Sequence, residues 1–353
     1  LVLLAFGLWK APNVAIGDLR LGVPELRPDS RYNIDSRTIT EKFSIGVDIL
    51  SIIVETEAEG CIDYEVMSTM DEFAWHMSNV EGVQSIIGLP GIAKVINSGW
   101  NEGSLKWRVL PRNSSVLTQS VAYVPTDSGL LNEDCSVMPL MIFTTDHKAK
   151  TIERVVSEVK RFREDRGSER VRFRLATGNV GVMAATNEEV EANQFPILLG
   201  VFSAVILLCL ITFRSIRAVL CVILPLGLVS LLAYALMSVL GIGLKVSTLP
   251  VVALGVGIGV DYGIYIYSRF KEFRDQGEPL QGAFRHTLHV TGSGVVFTGL
   301  TLAIGTGTWI FSPLQFQADM GILLTFMFLV NMLGAIILLP ALAAWLLPGD
   351  GAS

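Results

Sequence analysis

One acidic side chain, Asp261, falls in the middle of the apolar run LPVVALGVGIGVDYGIYIYSRF, which begins at Leu249 and ends at Phe270. An ionisable group at membrane depth costs ~2.5–3.5 kcal/mol on insertion scales, so a chain that keeps one there is expected to use it, and proton relays are among the recognised uses. Its neighbour Tyr262 supplies a phenol that can donate or accept a hydrogen bond. The pair is a candidate proton relay. Nothing else acidic lies deep in an apolar run, since Asp319 sits near the end of the last one. Ser293, Thr298, Thr301 and Asn331 are candidate relay partners, although hydroxyls in membrane helices more often bond their own backbone or a neighbouring helix. Gly255, Gly259 and Gly263 recur every fourth residue, a stripe of small residues that lets another helix approach closely. Gly257, one turn from Asp261, is expected to open space beside the carboxylate. The G-x-G spacing is not a dinucleotide fingerprint, which must follow a strand in a βαβ unit.

The elements around this run are legible from composition. The chain has 353 residues, 51% hydrophobic and 17% charged, against ~25% charged in soluble domains. The deficit lies almost wholly beyond Phe195. Five runs there, at about 196–213, 218–240, 246–267, 292–311 and 321–347, each approach the ~20 residues a bilayer requires. Pro196 suits the start of the first. Arg214, Arg217, Arg269, Lys271, Arg274 and Arg285 all fall in one set of connections, and the other set holds only Lys245. An excess of Lys and Arg marks the cytoplasmic side, which places the polar residues 10–194 outside the cytoplasm. Lys245 is expected to snorkel to the outer surface. Residues 268–290, where Phe270, Phe273, Leu280, Phe284 and Leu288 alternate with polar residues, read as an interfacial segment. Residues 1–9 read as the outer end of a helix that starts upstream, and 348–353 as a cytoplasmic tail. The net charge of −6 sits mostly in the polar part and gives no sign of a nucleic-acid partner.

The polar part repeats one pattern. Residues 47–55 read as strand, 63–79 as helix and 83–87 as strand; then 137–144 read as strand, 149–165 as helix and 171–176 as strand. Two βαβ units predict a ferredoxin-like α+β domain. Residues 97–134 show no period and read as a long linker carrying Trp100, Trp107 and Tyr123. Cys61 and Cys135 are the two thiols outside the apolar runs, in a compartment where disulfides persist, so a bridge across the linker is expected. Cys209 and Cys221 read as small apolar fillers. No spacing suits a metal site, no cofactor is implied, and no nucleophile motif with its acid–base partners is present, so no catalytic residues are assigned.

The string GVGIGVDYGIYIYSRF from Gly255 to Phe270, together with FQADMGILLTFMFLVNMLGAIILLPAL from Phe316 to Leu342, resembles resistance-nodulation-division (RND) exporters of the MMPL-like branch. That branch includes hopanoid and lipid exporters and is related to sterol-sensing-domain proteins. The resemblance covers nearly the whole chain and matches the second half of such a transporter. It implies a polytopic α-helical membrane protein with an extracytoplasmic porter domain, lodged in the cell inner membrane and facing the periplasm. It also implies an N-terminal half as partner, with its own Asp-Tyr pair, a hydrophobic or lipid-like substrate, contact with membrane lipids, and export driven by proton influx. A homo-oligomer is left open. A sterol-sensing-type lipid receptor or scaffold and a SecD/SecF-like translocation helper share the architecture. The buried acid argues against a pure receptor.

Overall fold

The computed structural model describes residues 1–43 and 46–346. Leu347, the end of the fifth expected run, and the expected tail 348–353 lie outside the described residues. Contacts divide the chain into a helical unit, comprising Leu1–Leu19, Pro24–Arg27 and the chain from Asn187 onward, and a sheet unit, comprising Arg20–Val23 and Pro28–Thr186.

Helix α1 (Val2–Lys10) opens the chain and belongs to the helical unit. The sheet unit begins with α2 (Arg31–Lys42), capped by the Ser30 hydroxyl, which accepts from the Asn33 amide. Then come β1 (Ile49–Thr56), α3 (Tyr64–Ser78), β2 (Val83–Ile87), α4 (Leu89–Gly99), α5 (Ser114–Ala122), β3 (Val137–Thr144), α6 (Ala149–Arg166) and β4 (Val171–Thr177). The expected strands and helices fall within two residues of their sequence-read bounds. The expected linker 97–134 does not run as one irregular stretch. Its first residues complete α4, and its middle is α5, started by Asn113, whose side chain accepts from the amides of Ser115 and Val116. The apolar residues of α5 are too few to declare a period, so its cap is the better signal.

The sheet is antiparallel throughout, in the order β2-β3-β1-β4. Each βαβ unit is therefore split by a strand of the other. Register pairs Leu50 with Ile142, Ile52 with Leu140 and Val54 with Met138. All six are buried, because alternation of period two sends them to one face. Met67, Met70, Phe73 and Met77 of α3 and Ile152, Val155, Val159 and Phe162 of α6 close that face. Phe73 stacks on Phe173 at 4.9 Å and meets Phe162 edge-on at 5.1 Å. Each such fully buried side chain contributes about 1.5–3 kcal/mol.

Helix α7 (Asn179–Phe213) runs 35 residues with Pro196 inside it. The sequence reading placed Pro196 at a helix start; the helix in fact begins well before it. The ring removes a single backbone bond, and the preceding Asn-Glu-Glu-Val-Glu-Ala run is rich enough in helix formers to continue across it. Next come α8 (Ile216–Leu240), stopped by Gly241 at φ +63°, and α9 (Leu249–Asp275), with Pro250 in its first turn. Two longer runs follow. One joins α10 (Leu280–Thr287), a π-turn and α11 (Ser293–Gly307) within Leu280–Phe311. The other joins α12 (Gln315–Leu333), a π-turn and α13 (Leu339–Leu346) within Gln315–Leu346. Among the described residues, five helical runs are long and apolar enough to cross a membrane.

Of residues 268–290, expected as an interfacial segment, Ser268 to Asp275 complete α9, the chain turns at Gly277 (φ +88°), and α10 begins the run Leu280–Phe311. The Lys245 ammonium lies 2.7 Å from the Asp18 carboxylate, both largely buried. Around them the Gly17 amide donates to the Leu244 carbonyl and the Leu244 amide to the Ala15 carbonyl, each at 2.8 Å. The segment after α1 thus seals the connection between α8 and α9.

Candidate functional site

Helix α9 lies against α8, α10 and α12, and its two faces differ. Gly255, Gly259 and Gly263 are buried, whereas Leu254, Gly257, Asp261 and Tyr265 form an exposed line along the opposite side. The geometry follows from the helical repeat. Residues four apart share a face, while Asp261 is two residues beyond Gly259 and so about 200° around the axis. The glycine stripe admits neighbouring helices at close range. It is already occupied: a Cβ on Gly255 would strike the Met327 side chain, one on Gly259 would lie 2.5 Å from the Asn331 carboxamide, and one on Gly263 would lie 2.9 Å from Val222.

Asn331 explains why Gly259 must be small. Its Nδ2 donates to the Gly255 carbonyl at 2.9 Å, and it is only 4% exposed. This bond crosses from α12 to α9 and gives a buried amide the partner it requires. We expect Gly259→Val to displace the carboxamide and break the bond, destabilising the helical unit by about 1–3 kcal/mol through overpacking. Gly257→Ala, where nothing lies within 4 Å, should leave stability unchanged or slightly raised. Thermal unfolding of the two purified variants in detergent compares them directly; equal midpoints would remove Gly259 from this role.

Asp261 is exposed, in line with the open Gly257. Tyr262, its neighbour, points the other way, 2% exposed in the core cluster with Val222 and Ile266. The Tyr262 hydroxyl is buried without a hydrogen-bond partner among the described residues. The two halves of the expected relay are thus about 100° apart around the helix, one exposed and one buried. Thr298 and Thr301 lie on an exposed line of α11 with Gly294 and Gly305, and Ser293 is exposed beside it. Thr301 donates to the Phe297 carbonyl of its own helix at 2.8 Å. Among the described residues no hydrogen bond links Asp261 to Tyr262, Ser293, Thr298, Thr301 or Asn331, and α12 contacts both α9 and α11. The structure therefore brings Asn331 to the glycine stripe, and among the described residues it shows no hydrogen bond from the other candidates to the carboxylate.

Sequence reasoning did not single out the second exposed stripe, Gly294, Thr298, Thr301 and Gly305. Its 4-3-4 spacing was available in the sequence. Asp319, noted as an outlying acid, is buried and accepts from the Gln315 side chain at 2.7 Å. In the sheet unit Cys61 and Cys135 form a disulfide with their Cα atoms 5.4 Å apart. Cys209 and Cys221 are buried free thiols.

The model of the MMPL family matches residues 41–347 of this chain. MJ1562 of Methanocaldococcus jannaschii, named only as a membrane protein, is 24% identical over 84% of this chain and 77% of its own length. MmpL12 of Mycobacterium tuberculosis, named a probable transport protein, is 25% identical over 47% of this chain and 15% of its own length. The trehalose monomycolate exporter MmpL3 of Mycolicibacterium smegmatis is 34% identical over 27% of this chain and 9% of its own length. Against both mycobacterial proteins the match thus spans less than a sixth of the relative.

Proposed function

Because the chain belongs to the MMPL family, we propose that it is the membrane-spanning and porter portion of an RND-type secondary transporter, exporting hydrophobic or amphiphilic molecules such as lipids at the expense of a proton gradient. The observation that carries this reading is the exposure of Asp261 within the apolar stretch of α9, a helix of a multi-pass membrane protein. A carboxylate facing lipid at that depth is costly, and such groups normally face a bundle interior or a water-filled cavity. Its face is therefore one that a second set of helices covers, and the N-terminal half of the same transporter is the partner that fits. That interface becomes a wet seam holding a titratable group. The lipid-exporting relative MmpL3 supports the substrate class, and no enzymatic chemistry enters this scheme.

The sheet unit is read as a periplasmic porter domain of ferredoxin-like topology. Its strand order, reversed, is 4-1-3-2 with all neighbours antiparallel, which supports that topology, and the basic residues Arg214, Arg217 and Arg269 support a placement opposite the cytoplasm of the inner membrane.

The test is flux of a fluorescent lipid through proteoliposomes under an imposed pH gradient, with and without a protonophore. Transport should collapse with the gradient. A rate unchanged by the protonophore would refute proton drive. Within the same assay Tyr262→Phe should slow transport by less than tenfold, under about 1.4 kcal/mol on the barrier. The phenol ring fills the core, and only its unpartnered hydroxyl is lost. A loss as deep as that from removing the carboxylate would instead make the hydroxyl itself an obligatory proton carrier.

A further inference from the structure

The sheet unit carries a cleft of about 570 Å³ between α3, α4 and the segment leading into α5. Three cations line it, Lys94, Arg108 and Arg112. Arg108 and Arg112 differ from the first. Among the described residues neither has a carboxylate within ion-pair distance, in contrast to Lys94 of the same cleft, which is paired with Asp71. The guanidinium of Arg112 lies 5.9 Å from the centre of the Tyr64 ring, and Trp107, half exposed, forms part of the wall.

The strap that presents these residues is anchored. Asn97, 5% exposed, donates through Nδ2 to the carbonyls of Trp107 and Val109, at 2.9 and 3.1 Å. A buried side chain satisfied by that strap fixes the backbone on both sides of Arg108. The chain then enters α5 through the Asn113 cap, one residue beyond Arg112. Two guanidinium groups on a fixed backbone, neither paired with a carboxylate among the described residues, present forked donors that match phosphate geometry. The aromatic and aliphatic walls supply what a bare anion would not use.

We propose that this cleft binds the phosphate head of an anionic amphiphile, with Arg108 and Arg112 on the phosphate and Trp107 against the adjoining apolar part. The assignment names a substrate class for the transport reading and rests on it, but the cleft lies wholly within the sheet unit and is testable without a gradient.

The experiment is titration calorimetry on the whole chain in non-ionic detergent. The probes are dihexanoyl phosphatidate, dihexanoyl phosphatidylcholine and inorganic phosphate. Phosphatidate should saturate, with affinity that falls as salt rises. Phosphatidylcholine and inorganic phosphate should each bind at least about tenfold more weakly, a difference of about 1.4 kcal/mol. The double variant Arg108→Gln/Arg112→Gln should lose at least tenfold for phosphatidate, and Arg108→Lys/Arg112→Lys should lose less. Both arginines are exposed, so the fold should survive, and an unchanged circular dichroism spectrum verifies it. Absence of phosphatidate binding, or equal binding by the glutamine variant, overturns the site. Phosphatidylcholine binding as tightly overturns the anion selectivity, and inorganic phosphate binding as tightly overturns the amphiphile. Asp261→Asn should bind phosphatidate as the wild type does, so failure of proton drive and failure of this cleft are separate results.

Discussion

Asp261→Asn should abolish gradient-driven export, with a loss of at least about 100-fold, while leaving folding and insertion intact. The substitution keeps the shape of the side chain and removes its ability to ionise. Each proton that crosses the membrane yields about 2.3 kcal/mol per 100 mV, and without a titratable carrier on this seam that energy has no entry point. The structural cost is small. Asp261 has no hydrogen-bond partner among the described residues and sits on an exposed line of α9 with Gly257, so the change strands no internal group. An uncharged amide is, if anything, easier to insert. Two measurements are paired: lipid efflux from vesicles of the whole transporter, and the thermal midpoint of the same preparation. Wild-type efflux from the variant would place the proton path elsewhere. Lost efflux with a midpoint lowered by many degrees would mean that the carboxylate is structural.

Removing the disulfide should be the largest single change in stability of the sheet unit. Cys61 and Cys135 are separated by 74 residues, and in the chain-entropy model a loop of that length is worth about 4 kcal/mol. The enclosed segment contains α3, β2, α4 and α5, most of what frames the Arg108 and Arg112 cleft. Cys61 is itself 2% exposed within the core, so alanine is the appropriate replacement; serine would bury a hydroxyl. Cys61→Ala/Cys135→Ala should lower the denaturant midpoint of the sheet unit, and a reductant should do the same to the wild type but not to the variant. Coincident curves for variant and oxidised wild type would show that the bridge adds nothing.

These two results draw on different kinds of legibility. The acid at 261 stood out because a charge in an apolar run is costly wherever the chain goes, and the bridge because two thiols fell outside the apolar runs. The first strand was visible because residues 47–55 are rich in Ile and Val, and the first helix because Met67, Met70, Phe73 and Met77 recur with the helical period. Segments without such a contrast were missed. In α2 the residues are polar all round, and α5 is too short for its period to emerge.

The sequence by itself determined which segments are long and apolar enough to span, which are strands and which ionisable side chain falls inside an apolar run. Backbone hydrogen bonding and one-sided burial repeat every two or 3.6 residues, and both are written locally. It also held, unread, the fact that Gly259 and Asp261 lie on opposite sides of α9. Only the tertiary structure decided what each face meets. Gly255 and Gly259 receive Met327 and Asn331, more than 70 positions later. Lys245 finds Asp18, and Arg108 is held over its cleft by Asn97. The order β2-β3-β1-β4 interleaves two sequence repeats. A periodic pattern specifies that a face must be covered; the covering residue is chosen by shape and hydrogen-bond complementarity between segments far apart in the chain, and no local period encodes that choice.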